Sequence, residues 1–175
     1  MLVDSINTCF TGHHVTEGPD AVKPTTWYRG RAVHLLDIEN LTASSLPTTA
    51  EVTTVMTLYR SIVPIGPMDQ FIVAVNHKAL VPAGIAFRGV QLLVRSGPDG
   101  ADRALVETAY VDRLGQRFDR VVIGSGDGFF TELAIWLLTQ GVGVTVVSRR
   151  GSLSWRLYAA VRDSVAFEPP APIAA

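Results

Sequence analysis

The chain has 175 residues, 47% of them hydrophobic and 18% charged, with a formal net charge of -1. That length suits one domain with a proper core, and the composition excludes a disordered chain. The near-neutral balance excludes attraction to nucleic acid by bulk charge alone, and with Cys9 as the single cysteine there is no intrachain disulfide and no thiolate zinc cage.

No apolar run reaches the roughly 18 residues of a membrane span. Residues 1–7 lack the basic region and apolar stretch of a signal peptide, so the expectation is a soluble, cytoplasmic protein. Of the 15 basic Lys and Arg residues, only Lys23 and Lys78 are lysines. The planar fork of Arg suits phosphate, although codon usage in a GC-rich genome produces the same bias.

Residues 1–29 show no clear periodicity and read as an irregular extension. His13 and His14 with Cys9 could ligate a metal, but a loose polar terminus is the plainer reading. From Arg31 onward, strand and helix patterns alternate. Arg31–Leu36 is a nearly continuous apolar run, as a strand buried on both faces requires. Thr48 and Glu51 have the spacing of a capping box and open a helix to about Ile62. Pro64 to Pro67 break the chain. Phe71–Val75 is the second strand, His77–Phe87 a poor helix interrupted by Pro82, and Val90–Arg95 the third strand. After the turn at Gly97-Pro98-Asp99-Gly100, Ala101–Leu114 reads as a helix. Arg120–Ile123 is the fourth strand, Phe130–Gln140 an apolar helix ended by Gly141, and Val142–Val147 the fifth strand. Ser152–Arg162 reads as a last amphipathic helix, and Ser164–Phe167 as a short edge strand before a Pro/Ala tail at 169–175. Strands alternating with helices of this length imply βαβ units with right-handed crossovers. The expected architecture is a three-layer, doubly wound α/β/α sandwich on a mainly parallel sheet of five or six strands.

Three aspartates stand just past predicted strands: Asp37, Asp127 within Gly-Ser-Gly-Asp-Gly, and Asp102 after a short Gly-rich loop. The carboxyl ends of strands in an open α/β sheet are where ligands bind. Acids gathered there repel one another unless a cation, a proton or a basic group is shared, which points to a divalent-metal, hydrolytic site. Taken singly, each has a plain alternative: Asp102 as a helix-start charge, Asp37 as an Asx-turn and Asp127 as a turn residue. Asn40 and Ser125 add a donor and a hydroxyl beside them, and Gly124, Gly126 and Gly128 leave space for a ligand. Glu39 and Glu107 are acids of the surroundings or the surface. A dinucleotide site is excluded because Phe129 stands where the third glycine of the fingerprint belongs, and Asp127 would face the pyrophosphate. No P-loop lysine pattern is present. An aspartyl-nucleophile phosphatase would require Asp where Glu39 stands.

Leu35-Leu-Asp37-Ile-Glu-Asn40-Leu, Gly100-Ala-Asp102-Arg-Ala-Leu105 and Val122-Ile-Gly-Ser125-Gly-Asp127-Gly-Phe-Phe130 together resemble the three signature blocks of NYN domains, which are PIN-like nucleases. The similarity runs from about Arg31 to Phe167. The resemblance implies a PIN-like, Rossmann-like sandwich over residues 30–168, with the first and fourth strands adjacent. It also implies Mg²⁺- or Mn²⁺-dependent cleavage of RNA, with Asp37, Asp102 and Asp127 as metal ligands, Asn40 as the active-site Asn and Ser125 as a substrate-facing hydroxyl. Many members carry a further Asp at the position of Phe129. Arg149 and Arg150, after the fifth strand, are candidates for holding the RNA backbone, and His77 and Lys78 follow the second strand. RNA is the implied partner, and a homodimer is compatible with this reading. Two alternatives stand beside the ribonuclease: a non-catalytic RNA-binding module, and a small-molecule phosphohydrolase.

Overall fold

The structure, a computed structural model, describes residues 30–169 and, at the level of the backbone, His14 and Val15. The rest of the expected N-terminal extension, with Cys9 and His13, and nearly all of the C-terminal tail lie outside the described residues.

Seven parallel strands form one sheet in the order β1-β7-β6-β5-β2-β3-β4. They are β1 (His14–Val15), β2 (Ala32–Asp37), β3 (Gln70–Val75), β4 (Gln91–Val94), β5 (Arg120–Gly124), β6 (Gly143–Arg149) and β7 (Asp163–Phe167). The outermost, β1, is a two-residue pairing onto Asp163 and Ser164, so β7 is paired on both sides. The helices are α1 (Ile38–Thr42), α2 (Thr49–Ile62), α3 (Leu80–Ala86), α4 (Gly100–Val111), α5 (Leu114–Arg117), α6 (Thr131–Thr139) and α7 (Trp155–Ala160). Among the described residues, no helix is long and apolar enough to cross a membrane.

Successive strand residues point to opposite faces, and the two cores divide along that alternation. Val33 and Leu35 of β2, with Val121 and Ile123 of β5, pack against α4, α6 and α7. Leu36 and Val122 pack on the other face against α1, α2 and α3. Both faces are therefore covered, as an all-parallel sheet requires. The chain moves outward in one direction from β2 to β3 and β4, and in the other from β5 to β6 and β7. The neighbours β2 and β5 form the switch point, where a crevice opens at their carboxyl ends.

Local chemistry explains the helix boundaries. Thr48 and Glu51 make both hydrogen bonds of the expected capping box. Pro82 sits in the first turn of α3, where its missing N–H costs nothing. The helix expected over Ala101–Leu114 is interrupted because Arg113 adopts a left-handed conformation with φ 50°; α4 ends at Val111 and a separate turn begins at Leu114. The last helix starts at Trp155 rather than Ser152, because Ser154 is extended, with ψ 134°, and its N–H is tied at 2.8 Å to the carbonyl of Gly126.

Candidate functional site

Asp37 is the last residue of β2 and also the N-cap of α1, its Oδ1 accepting from Asn40 N–H at 3.2 Å. This bond creates the short α1 that follows. Ser125, just after β5, is fully buried. Its hydroxyl donates to Asp37 Oδ2 and accepts from Asp127 N–H, each at 3.2 Å. Asn40 Oδ1 accepts from Gly126 N–H at 3.0 Å, and Arg149 Nε donates to the carbonyl of Asn40 at 2.7 Å. These bonds lock the ends of β2, β5 and β6 into one unit.

Asp102 enters from the first turn of α4 and is buried beside Asp37. Burial is the largest influence on both carboxyls, and it disfavours their charged forms. Asp37 is pushed up to about 6, with hydrogen bonds from Asn40 N–H, Asp102 and Ser125 opposing the rise. Asp102 is pushed up to about 8 by burial, then by the charges of Asp37 and Asp127. The pair shares a proton, which Asp102 carries and donates to Asp37. As an ionised carboxylate, Asp102 leaves its buried Oδ1 with no hydrogen-bond partner among the described residues. A proton, a cation or a donor such as water has to satisfy that oxygen.

Asp127 stands at the same edge but is exposed, its Oδ1 accepting from Phe129 N–H at 2.8 Å at the head of the turn Gly128–Phe130. Its charge reaches Asp102, but its carboxyl does not join the pair. Among the described residues, no three His, Cys, Asp or Glu side chains form a group able to hold an ion. Two carboxylates completed by water and substrate phosphate are nevertheless an ordinary setting for Mg²⁺, and the unsatisfied oxygen of Asp102 fits that requirement.

The cleft over the pair measures about 190 Å³ and is lined by the acids Asp37, Glu39, Asp99 and Asp102, by one base, Arg95, and by Asn40 and Asn76. Asn76 and Asp99 escaped the sequence reading. Asn76 follows β3 directly, so the strand-end rule that found Asp37 reaches it too; its N–H donates to Glu39 Oε1 at 2.7 Å. Glu107 is removed from the pair and binds Arg95 at 2.6 Å on the surface. A larger groove of about 380 Å³ between β4 and α4 holds only this ion pair and Asp112 as charged groups and contains no cluster of buried acids.

Several expected roles change with the geometry. Ser125 is a positioning residue whose buried hydroxyl is committed on both sides, not a group facing substrate. Arg149 clamps α1 through Asn40, while Arg150 lies near Glu168 at 3.6 Å on the surface. His77 and Lys78 are exposed in the turn after β3, with His77 bonded to Ser96. The space beside Gly126 and Gly128 is filled by the chain itself. A Cβ on Gly126 would collide with the carbonyl of Ser152, and one on Gly128 would lie 2.8 Å from Ser154 Oγ.

The shared proton has a consequence for stability. A carboxyl raised in the folded state lets that state hold protons the unfolded chain has lost, so its contribution is complete below the unfolded value of 3.8 and disappears as pH rises through the folded value. Above pH 6.5, Asp102 is the titrating member of the pair. The metal-free protein should lose stability as pH rises from 6.5 towards 8, with a slope approaching ~1.4 kcal/mol per pH unit near pH 7 that levels off above 8. Denaturant melts across that range should show the slope in wild type, a flat line in Asp102→Asn, and flattening of wild type by millimolar Mg²⁺.

Neither a protein family nor a curated protein matches the chain by sequence. Among solved structures, it is similar to the crystal structure of a protein of unknown function from Vibrio parahaemolyticus, at 15% identity, over 84% of this chain and 97% of that one, with a TM-score of 0.51. At that identity the likeness establishes the shared α/β fold alone.

Proposed function

We propose that the chain is an Mg²⁺- or Mn²⁺-dependent ribonuclease of the NYN, PIN-like kind, cleaving RNA phosphodiester bonds in the crevice between β2 and β5. One observation carries this reading: the buried Asp37–Asp102 pair at the sheet's switch point, two carboxyls that resist ionising together and one of whose oxygens has no partner among the described residues. Four acids outnumber the single base of the cleft, Arg95, which is itself paired with Glu107, so a phosphodiester is repelled unless further positive charge is brought in. When bound by Asp37 and Asp102, the cation supplies that charge against the negative charge developing on the phosphate.

The chain's own groups do the rest. Ser125 holds Asp37 in place, and Asn40 keeps its Oδ1 on Gly126, which leaves its NH₂ as the donor for a phosphate oxygen. Arg149 fixes the backbone of Asn40 and so the aim of that amide. The cleft, at about 190 Å³, falls below the roughly 300–1,000 Å³ of pockets that engulf small molecules. That favours a reacting phosphate within a longer polymer over a free nucleotide.

Wild-type protein with Mg²⁺ or Mn²⁺ is expected to shorten single-stranded or structured RNA and to stop doing so in EDTA. Release of phosphate from nucleotides with RNA left intact would instead establish a small-molecule phosphohydrolase. The outward Asp127 and the apolar Phe129 beside it favour one further reading, an RNA-binding module without turnover. Salt-sensitive binding with no cleavage under either metal would establish that.

A further inference from the structure

A phosphodiester breaks with an electron pair on the oxygen that leaves, and a ribose oxygen leaves poorly without a proton. When Asp37 and Asp102 hold a cation, neither has a proton to give. Ser125 is committed on both sides, and Asn40 and Asn76 are amides, which carry no acid proton. A group of the right kind stands on the rim of the same cleft. Asn76, Arg95 and Gly97 all line the cleft. His77 follows the first of them directly, Ser96 lies between the other two, and the side chains of His77 and Ser96 are bonded to each other.

The pair joins the carboxyl ends of two strands, since His77 opens the turn after β3 and Ser96 follows β4. Ser96 Oγ accepts the backbone N–H of His77 at 3.1 Å and lies 2.5 Å from its ring Nδ1. A hydroxyl oxygen has two lone pairs, so beside an imidazolium it accepts from both N–H groups. The turn behind the ring is fixed as well. Asn76 Oδ1 accepts from Lys78 N–H at 2.8 Å and Ala79 N–H at 3.0 Å, and its Nδ2 donates 2.8 Å to the carbonyl of Ser45. The exposed ring is therefore held through Nδ1, while Nε2 has no partner among the described residues. An imidazole tied in this way keeps its Nδ1 proton and exchanges the one on Nε2, which is how histidine serves as a proton shuttle. The charged groups of the surrounding elements are Glu39 of α1, Lys78 beside the ring, and Arg95 and Asp99 on the two sides of Ser96.

We propose that His77 is the proton donor to the leaving oxygen, with Ser96 as the residue that positions its ring; the role rests on the ribonuclease reading. In that step the oxygen of the attacking water bonds to phosphorus, and the bond from phosphorus to the leaving oxygen breaks. The electron pair of the broken bond stays on the leaving oxygen, which takes the Nε2 proton of His77. One proton of the water passes to solvent, and solvent returns a proton to Nε2, so the protein ends in the state in which it began.

The test uses the full chain with Mg²⁺ or Mn²⁺ and two substrates, an RNA oligonucleotide and an oligonucleotide ending in a p-nitrophenyl phosphodiester. Nitrophenolate leaves without a proton, so the second substrate needs no acid. His77→Ala should lower kcat on RNA by about 10²–10⁴-fold, the usual contribution of a positioned acid, with KM nearly unchanged and with little loss on the nitrophenyl ester. His77→Gln, whose amide can still bond Ser96 Oγ, should be as slow as His77→Ala. The fall in kcat with rising pH that follows loss of the imidazolium proton should be absent from both variants. Ser96→Ala keeps the ring but not its tether and should lose less than His77→Ala. Full recovery in His77→Gln, or an equal loss on both substrates, would overturn the proposal and leave His77 as a tie between the ends of β3 and β4. The two readings fail separately: wild type that leaves RNA intact under either metal ends the ribonuclease and this role with it, whereas cleavage of RNA by His77→Ala at the wild-type rate removes the role alone.

Discussion

Asp37→Asn and Asp102→Asn, each made alone, should lower kcat/KM for metal-dependent RNA cleavage by about 10²–10³-fold, the usual cost of losing one preorganised electrostatic contact to the transition state. The chain should still fold. Asp102 is pushed up to about 8, so at pH 7 it is already neutral in the metal-free protein, and Asn reproduces its size and lack of charge. Asp37→Asn keeps one oxygen, for Asn40 N–H, and sets its NH₂ where Oδ2 accepts from Ser125, whose hydroxyl can turn to accept instead. Melting curves at pH 7 therefore separate lost chemistry from lost structure. Asp127→Asn should cost less, because its exposed carboxyl caps the Gly128–Phe130 turn, a bond the amide oxygen of Asn can accept as well. Cleavage unchanged in Asp37→Asn, or surviving EDTA, would refute the metal-dependent mechanism.

The legible part of this protein is the part governed by local chemistry and simple burial. The runs at Ala32, Phe71 and Val121 read as strands because parallel strands covered on both faces must be apolar throughout. The box at Thr48 and Glu51 set the start of α2 within four residues of chain. The strand-end rule then found Asp37 and Asp102, which the fold brings together in the crevice it forms. What escaped depends on contacts distant in sequence. The helix α1 exists because Asp37 turns to cap it, and five residues carry too little periodicity to announce themselves. The start of α7 is set by Gly126, far away in the chain. The outward setting of Asp127 follows from a choice of hydrogen-bond partner, Phe129 N–H, which residue identity does not encode. The same is true of Ser125 and Arg149. Their types suit substrate binding, yet their polar atoms are committed to Asp37, Asp127 and Asn40.

At the opposite end of the same strands lies a second buried polar group, and it should prove the most sensitive point for stability. Asp69, its side chain 2% exposed, accepts from Ala32 N–H and Gly66 N–H, each at 2.8 Å, faces His34 Nε2 at 3.4 Å and lies 3.6 Å from Arg120. His34 Nδ1 is 2.8 Å from Tyr59 Oη, and its ring stacks on Phe71. Burial pushes the Asp69 carboxyl up, but the hydrogen bonds from His34, Gly66 and Ala32 outweigh it and hold it at about 2. Burial also lowers His34, so the ring is neutral. One tautomer serves both neighbours, with Nε2–H donating to Asp69 and Nδ1 accepting from Tyr59. Asp69→Ala removes the acceptor for two backbone amides and the counter-charge of Arg120, whose buried Nε already has no partner among the described residues. Breaking a buried pair in this way costs about 3 kcal/mol or more, a larger loss than either carboxyl substitution at the cleft. Urea denaturation should show it as a lowered midpoint at unchanged slope. The pH dependence has a definite sign. The Asp69 contribution is complete above 3.8 and vanishes as pH falls toward 2, while neutral His34 adds destabilisation below 6.5. Wild type should therefore lose stability in acid more steeply than Asp69→Ala, in the opposite direction to the Asp37–Asp102 pair. His34 and Asp37 lie on one strand, and Arg120 and Gly124 on its neighbour. The clamp thus fixes the two strands whose far ends carry the site, and Asp69→Ala should also reduce cleavage in the fraction that remains folded.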